Sequence, residues 1–268
     1  MVFFSFELNG DFAIFKKPDI NNVYLSYNFI PIPSLLGIFG AINGYGGIYK
    51  RYITNEENLE YYIKFGGIYL GIEPLYNQIE KQIVNYNNST GYANKGEENL
   101  VIHEQILIKP KWRIYVYDEN DSEEISLLYK NIKQNRTIFT PYLGKNEFIV
   151  SIENFVDLDL PLEYIELKKE NLNDKNQITT LIPKNLFYDI FERSSYNNDE
   201  EPFELIENLP ISLDNLRYKH EKVLQVRGNI KIKNSSQFDE ILLKIKDRGL
   251  LKIKNKNEKG YIIFLFKV

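Results

Sequence analysis

Two lysines, Lys16 and Lys17, stand in a turn after the first apolar strand, and a Pro-x-Pro-Ser run, Pro31 to Ser34, follows them and opens an apolar stretch. Proline fixes φ near the helical value, and a serine at a helix start can accept a backbone N–H bond, so the run from Leu35 to Ile42 predicts a helix beginning at Ser34. Gly44, Gly46 and Gly47 end it. A helix N-terminus presents unpaired N–H groups and about half a positive charge. With Lys16 and Lys17 nearby, the chemistry expected here is phosphate recognition.

Other chemistries find little material. The 268 residues include no cysteine and two histidines, so a disulfide framework or thiolate metal site is excluded, and no His-x-x-x-His pair suggests zinc. The cluster Gly44-x-Gly46-Gly47 follows a helix rather than joining a strand to one, and no Gly-x-x-x-x-Gly-Lys loop exists. Neither a metal nor a cofactor is expected. The net charge of −4 argues against a protein that coats nucleic acid indiscriminately. Charge is nevertheless segregated: Lys109, Lys111, Arg113 and His103 face only Glu104 between 100 and 117, residues 153–174 are acidic, and 231–268 are basic. Apolar residues make up 43% of the chain, enough for a core, yet no run approaches the ~20 residues a membrane helix requires. Met1-Val2-Phe3-Phe4 lacks the features of a signal peptide, so a cytoplasmic location without membrane contact is expected.

Several elements must position these residues. Residues 2–8 predict a central strand delivering residues 9–17 to its carboxyl end, and residues 65–72 a second strand whose glycines permit close approach by a neighbour. Residues 78–86 and 99–108 predict two arms of a long hairpin around a tip, 87–96, that has no apolar period. Residues 112–117 alternate as a strand, and Ser122 with two glutamates opens an amphipathic helix over 122–132. Short strands are expected at 164–168 and 177–182, an acidic segment without core-forming character at 196–202, and a further strand at 223–232. Beyond it, 235–246 predicts an amphipathic helix and 250–266 a hairpin. The alternation of strands and helices predicts an α+β fold with a ferredoxin-like, RNA-recognition-motif-like core over 1–155, including the hairpin at about 75–108. An irregular β-rich part, 156–234, and a small appended basic module, 235–268, complete the expected domains.

Three fragments resemble the fifth family of CRISPR-associated proteins, subunits of type I Cascade complexes. The first is Gly10-Asp11-Phe12-Ala13-x-Phe15-Lys16-Lys17-Pro18, continued by Tyr27-x-x-Ile30-Pro31-x-Pro33-Ser34-Leu35-Leu36-Gly37-Ile38-Phe39-Gly40-Ala41. The second, Lys109-Pro110-Lys111-Trp112-Arg113-Ile114-Tyr115-Val116, is similar to a strand of the type I-B-like branch. The third, Pro141-Tyr142-Leu143-Gly144-Lys145-Asn146-Glu147-Phe148, departs from the family pattern at Asn146, where a small hydroxyl residue is usual. The likeness spans residues 1–155 well and 200–233 weakly; the 235–268 module has no counterpart in it.

The resemblance implies the same fold, a thumb hairpin folding over RNA, and a non-catalytic subunit that grips the 5′ handle of CRISPR RNA and caps the Cascade backbone. Its implied partners are CRISPR RNA, the backbone subunit, the large subunit, and target DNA within the complex. Phosphates are then expected at Ser34 and against Lys16, Lys17, Lys109, Lys111 and Arg113, base edges at Asn9 and Asn43, and thumb contacts at Tyr86, Tyr92, Lys95 and His103. Two other classes remain open. The type I-C branch cuts precursor CRISPR RNA with tyrosine, lysine and histidine. Tyr218-Lys219-His220 holds those types, but neighbours on one strand point to alternate faces, so no catalytic residue is assigned. The third class is a protein-only scaffold.

Overall fold

The computed structural model describes residues 1–18, 23–76, 78–88, 100–158, 164–166, 176–194, 203–214, 216–233, 243, 245, 248–256 and 259–268. Its N-terminal half runs β1 (Val2–Asn9), β2 (Phe12–Ala13), α1 (Ile32–Asn43), α2 (Ile48–Thr54), α3 (Glu60–Lys64), β3 (Tyr69–Pro74), β4 (Glu80–Asn88), β5 (Leu100–Ile108), β6 (Lys111–Asp118), α4 (Glu123–Lys133) and β7 (Ser151–Asp157). Then come β8 (Tyr164–Glu166), β9 (Gln177–Ile178), β10 (Ile182–Pro183), α5 (Lys184–Ile190), β11 (Phe191–Arg193), β12 (Phe203–Asp214), β13 (Arg217–Arg227), β14 (Ile230–Ile232), β15 (Gly249–Lys256) and β16 (Lys259–Lys267). The result is mixed α+β and mostly strand. Among the described residues no helix is long and apolar enough to cross a membrane.

The largest sheet has the order β7-β1-β6-β3-β16-β15-β8, with β9 beside β16. Its first four strands are antiparallel, and α1 and α4 lie between β1 and β3 and between β6 and β7 in the chain. That is a β-α-β-β-α-β connectivity with spatial order 4-1-3-2. Alternation along β1 sends Phe4, Phe6 and Leu8 toward the helices, where Phe6 meets Phe39 of α1 at 6.1 Å between ring centres. Each such fully buried ring contributes about 2 kcal/mol of apolar burial. The opposite face carries Phe3, Tyr115 and Tyr117, joined by Leu158 in a second apolar cluster. These three rings are buried, so they do not form an open aromatic platform of the kind RNA-recognition motifs use.

Local signals explain most boundaries. α1 starts at Ile32 rather than at Ser34: Pro31 is the N-cap and no side chain caps the helix, so Ser34 lies inside the first turn. Gly44, at φ 82°, closes it in the left-handed conformation that glycine adopts freely. The segment expected as a strand over 65–72 begins as a turn, because Phe65 caps α3 and Gly67 (φ 87°) reverses the chain; the strand proper runs Tyr69–Pro74. Within it Gly71 does permit close approach, since a Cβ there would stand 2.8 Å from Leu265 of β16. Ser122 caps α4 only by position, its hydroxyl donating instead to Asp118 at 2.6 Å.

The C-terminal hairpin corrects the expectation of an appended module. β16 pairs with both β15 and β3 and so occupies the middle of the main sheet. Its near-continuous apolar run, 261–266, fits burial on both faces. The acidic segment expected at 196–202 and nearly all of the expected 235–246 helix lie outside the described residues.

Candidate functional site

Three loops distant in sequence meet at the base of the β4–β5 hairpin. Gly10 N–H donates to the Pro110 carbonyl (3.3 Å), Lys109 N–H to the Asp11 carbonyl (2.8 Å), and Ile14 N–H to the Leu143 carbonyl (3.1 Å). Gly144, at φ 89°, lies against Ile14, where a Cβ would stand 1.7 Å from the carbonyl oxygen. The next residue, Lys145, reaches the hairpin: its Nζ donates to Glu104 Oε2 and to the Tyr86 hydroxyl (3.1 Å) and sits 4.9 Å from the Tyr86 ring. Burial opposes its charge, but the bonds to Glu104 and Tyr86 outweigh it and raise the lysine pKa. The hairpin itself is regular, with Glu80 opposite Ile108 through to Asn88 opposite Leu100. Tyr24 adds a short parallel bridge to β5 at Glu104.

The expected phosphate-binding cations divide into two groups. Lys17 Nζ is bound to Glu207 Oε1 at 2.7 Å. The same buried carboxylate accepts from Asn28 N (2.7 Å), Phe29 N (3.3 Å) and Asn28 Nδ2 (3.0 Å). An anion site therefore does form just before α1, but the protein's own Glu207 from β12 fills it. Prolines at 31 and 33 also remove two N–H groups from the helix start, which leaves fewer donors for the phosphate expected at Ser34. Lys111 and Arg113 are likewise committed, binding Glu7 at 2.7 and 2.6 Å, while Arg113 also lies 3.5 Å from Glu73. Lys16 and Lys109 are exposed and have no ion pair among the described residues. Lys16 Nζ lies 3.2 Å over the Tyr24 ring, and Lys109 stands at φ 44° in the turn between β5 and β6.

The two asparagines differ. Asn43 is buried, donating to the Glu124 carbonyl and accepting from Asn131, so it holds α1 against α4 instead of facing a base. Asn9 ends β1 half-buried, opposite Lys111 and Ser151. His103 pairs across the hairpin with Asn85 (Nδ1 to Oδ1, 2.5 Å), and Tyr86 is met by Lys145. Tyr92 and Lys95 lie outside the described residues. Of Tyr218-Lys219-His220, Lys219 pairs with Asp214 whereas His220 Nε2 lies 3.0 Å from the Tyr27 hydroxyl, consistent with alternate faces of β13. Among the described residues no group of three or more His, Asp or Glu could hold a metal ion.

Glu7 sets a pH limit on this region. Burial raises its pKa, but hydrogen bonds from Lys111, Asn154 and Arg113 prevail and lower it from 4.5 to about 2. The unfolded chain takes up that proton near its ordinary value and the folded chain only near 2. The stabilisation, about 3 kcal/mol, is thus complete above about 4.5 and is lost as pH falls toward 2. Glu7→Gln is expected to lower neutral-pH stability by about 2 to 3 kcal/mol and to flatten the acid limb of a denaturation-midpoint titration. An unchanged acid limb would show that Glu7 is not the group responsible.

Sequence reasoning missed Glu7, Glu207 and Lys145 as organisers, and also a groove of about 670 Å³ beside α1, lined among others by Ser34, Arg51, Tyr61, Phe139, Tyr142 and Tyr218. Of these lining residues the sequence pointed to Ser34 and Tyr218, each for a different chemistry, and to Tyr142 only as part of the third resembling fragment.

No family model and no curated protein sequence matches the chain. Several solved structures resemble its backbone at low identity. A chain of a CRISPR RNA-guided surveillance complex is 10% identical, covering 90% of this chain and 98% of that one, with a TM-score of 0.45. A CRISPR protein from Archaeoglobus fulgidus is 10% identical over 100% of both chains at 0.44. A chain of the type III-B Cmr-beta complex bound to cognate target RNA and AMPPnP is 11% identical, covering 95% and 90%, at 0.41.

Proposed function

We propose that the chain is a non-catalytic CRISPR RNA-binding subunit of a type I-B-like Cascade complex, acting in the cytoplasm. It grips the 5′ handle and caps the backbone next to the large subunit. One observation carries this reading: the three fragments that resemble the Cascade family, at 10–18, 109–116 and 141–148, come together by direct backbone hydrogen bonds at the foot of one hairpin. Shared use of one place is what a common binding role would require, and nothing in composition alone would bring them there. The β-α-β-β-α-β connectivity supports a ferredoxin-like core, and the β4–β5 hairpin fits a thumb tied to that core through Lys145. Lys16 and Lys109, the exposed cations of this region, supply phosphate contacts. Backbone and asparagine groups near β1's end meet base edges. CRISPR RNA, the backbone subunit, the large subunit and target DNA held by the complex are the partners of this reading.

A second reading, metal-independent cleavage of precursor RNA, is favoured by one contact that the sequence did not suggest. Tyr27 and His220 are hydrogen-bonded, with Lys17 Nζ 5.1 Å from the Tyr27 ring, which gathers a proton-transfer pair and a cation. Against it, Tyr27 is buried and Lys17 is neutralised by Glu207.

Incubating the protein with labelled CRISPR repeat RNA in EDTA separates the readings. The expected result is intact RNA with handle-dependent retention. Combining Lys16→Ala with Lys109→Ala should weaken it and reduce the log–log salt slope by about one per lysine. Cleavage abolished by His220→Ala would establish the enzyme instead. Neither retention nor cleavage, alone or with partner subunits, would leave a protein-only scaffold.

A further inference from the structure

The groove beside α1 is closed on one side by Tyr61, which lies flat on the helix: a Cβ at Gly40 would meet Tyr61 Cβ at 2.7 Å, so glycine is what seats the ring. Tyr61, Tyr142 and Tyr218 all line the groove; burial, and then the neighbouring phenols of Tyr218 and Tyr142, push the Tyr61 phenol up to about 12. Phe139, Tyr142 and Tyr218 remain 54%, 43% and 53% exposed although they are large aromatic side chains. Among the described residues lining the groove, Arg51 is the one charged side chain, and no carboxylate faces it. A volume of about 670 Å³ is within the range of small-ligand sites and admits flat rings.

We propose that this groove is a stacking subsite for unpaired nucleobases of single-stranded RNA, with Arg51 placed for the accompanying phosphate. The proposal rests on the RNA-binding reading above and deepens it. Several observations select the occupant. Open aromatic rings give sequence-tolerant platforms for bases, and Arg51, whose Nε donates to the Glu57 carbonyl (2.9 Å), brings a single positive charge that complements a phosphodiester. The loop at 141–148 supplies Tyr142 and Gly144 to the groove and Lys145 to the hairpin, so the groove adjoins the region already assigned to RNA. The aromatic rings Phe3, Tyr115 and Tyr117 of the main sheet are buried, which leaves bases no access to them.

The test uses the full chain with a labelled repeat RNA, and the same RNA carrying abasic residues through its handle. Tyr142→Ala and Tyr218→Ala remove exposed rings and should each weaken binding of the intact RNA by roughly 5- to 150-fold. Neither should change binding of the abasic RNA, and Tyr49→Ala and Tyr52→Ala, on the exposed face of α2 outside the groove, should change neither. With 4-thiouridine in the handle, photo-crosslinks should map to Phe139, Tyr142 or Tyr218. Unchanged affinity in both groove variants, or crosslinks confined to the hairpin, would overturn the subsite while leaving RNA binding intact. Failure of the wild-type chain, alone and with partner subunits, to retain either RNA would overturn the underlying reading with it.

Discussion

Gly144→Ala is expected to lower stability by roughly 4 kcal/mol or more and to detach the β4–β5 hairpin from the core. Two independent effects add. The backbone at φ 89° disfavours any side chain, and the new Cβ would stand 1.7 Å from the Ile14 carbonyl oxygen, a backbone atom that cannot rotate away. The loop must therefore move. It carries Lys145, so the bonds to Glu104 and Tyr86 go with it. Urea denaturation reads the first effect, and protease sensitivity of residues 80–108 the second. Lys145→Ala serves as a milder comparison that should loosen the hairpin with little loss of global stability. A Gly144→Ala midpoint equal to wild type would show that the loop adapts, and that the contact with Ile14 does not fix it.

Glu207→Ala carries the other large effect, roughly 3 to 5 kcal/mol. The carboxylate is buried and satisfies two backbone N–H groups, the Asn28 amide and Lys17; removing it strands all four at once. The segment it holds is tied onward, because the Asn28 carbonyl accepts from the Tyr76 hydroxyl, which accepts in turn from Trp112 Nε1 at 2.8 Å. Lys17→Ala should be milder, about 1 to 2 kcal/mol, since Lys17 is partly exposed and Glu207 keeps its N–H donors. A denaturation series in which Lys17→Ala costs as much as Glu207→Ala would place the strength in the ion pair, and would sink the idea of an anion held chiefly by backbone.

These two sites mark the boundary of what the sequence discloses. Elements governed by short-range rules were legible: the two arms, expected at 78–86 and 99–108 and found at 80–88 and 100–108, from β-capable residues flanking a tip without apolar period, α4 from its serine, glutamates and spacing, and the end of α1 from Gly44. The partnerships that decide the site were not. Lys17, Lys111 and Arg113 looked like cations available for phosphate, yet each is neutralised by an acid fixed only by tertiary approach or strand register, Glu207 for the first and Glu7 for the others. Asn43 looked like a base-reading amide, but its bonds run to Glu124 and Asn131 of α4. Tyr61, Phe139, Tyr142 and Tyr218 are scattered along the chain from α3 to β13, so no window of sequence could show their groove. The place of β16 was hidden for a like reason: a hairpin at the end of the sequence reads the same whether it stands alone or pairs with a strand far behind it.

That placement has a bearing on how the molecule comes into being. β3 acquires its second neighbour from β16, which is synthesised only after everything from β4 to β15. The first four strands of the sheet can assemble early, yet until β16 arrives β3 presents an unpaired row of N–H and C=O groups, with Gly71 leaving its backbone open to any other extended chain. Closure across so long a separation is slow in folding terms. The newborn protein therefore passes through a period in which its own sheet could recruit another extended chain, an exposure that ends when β16 pairs with β3.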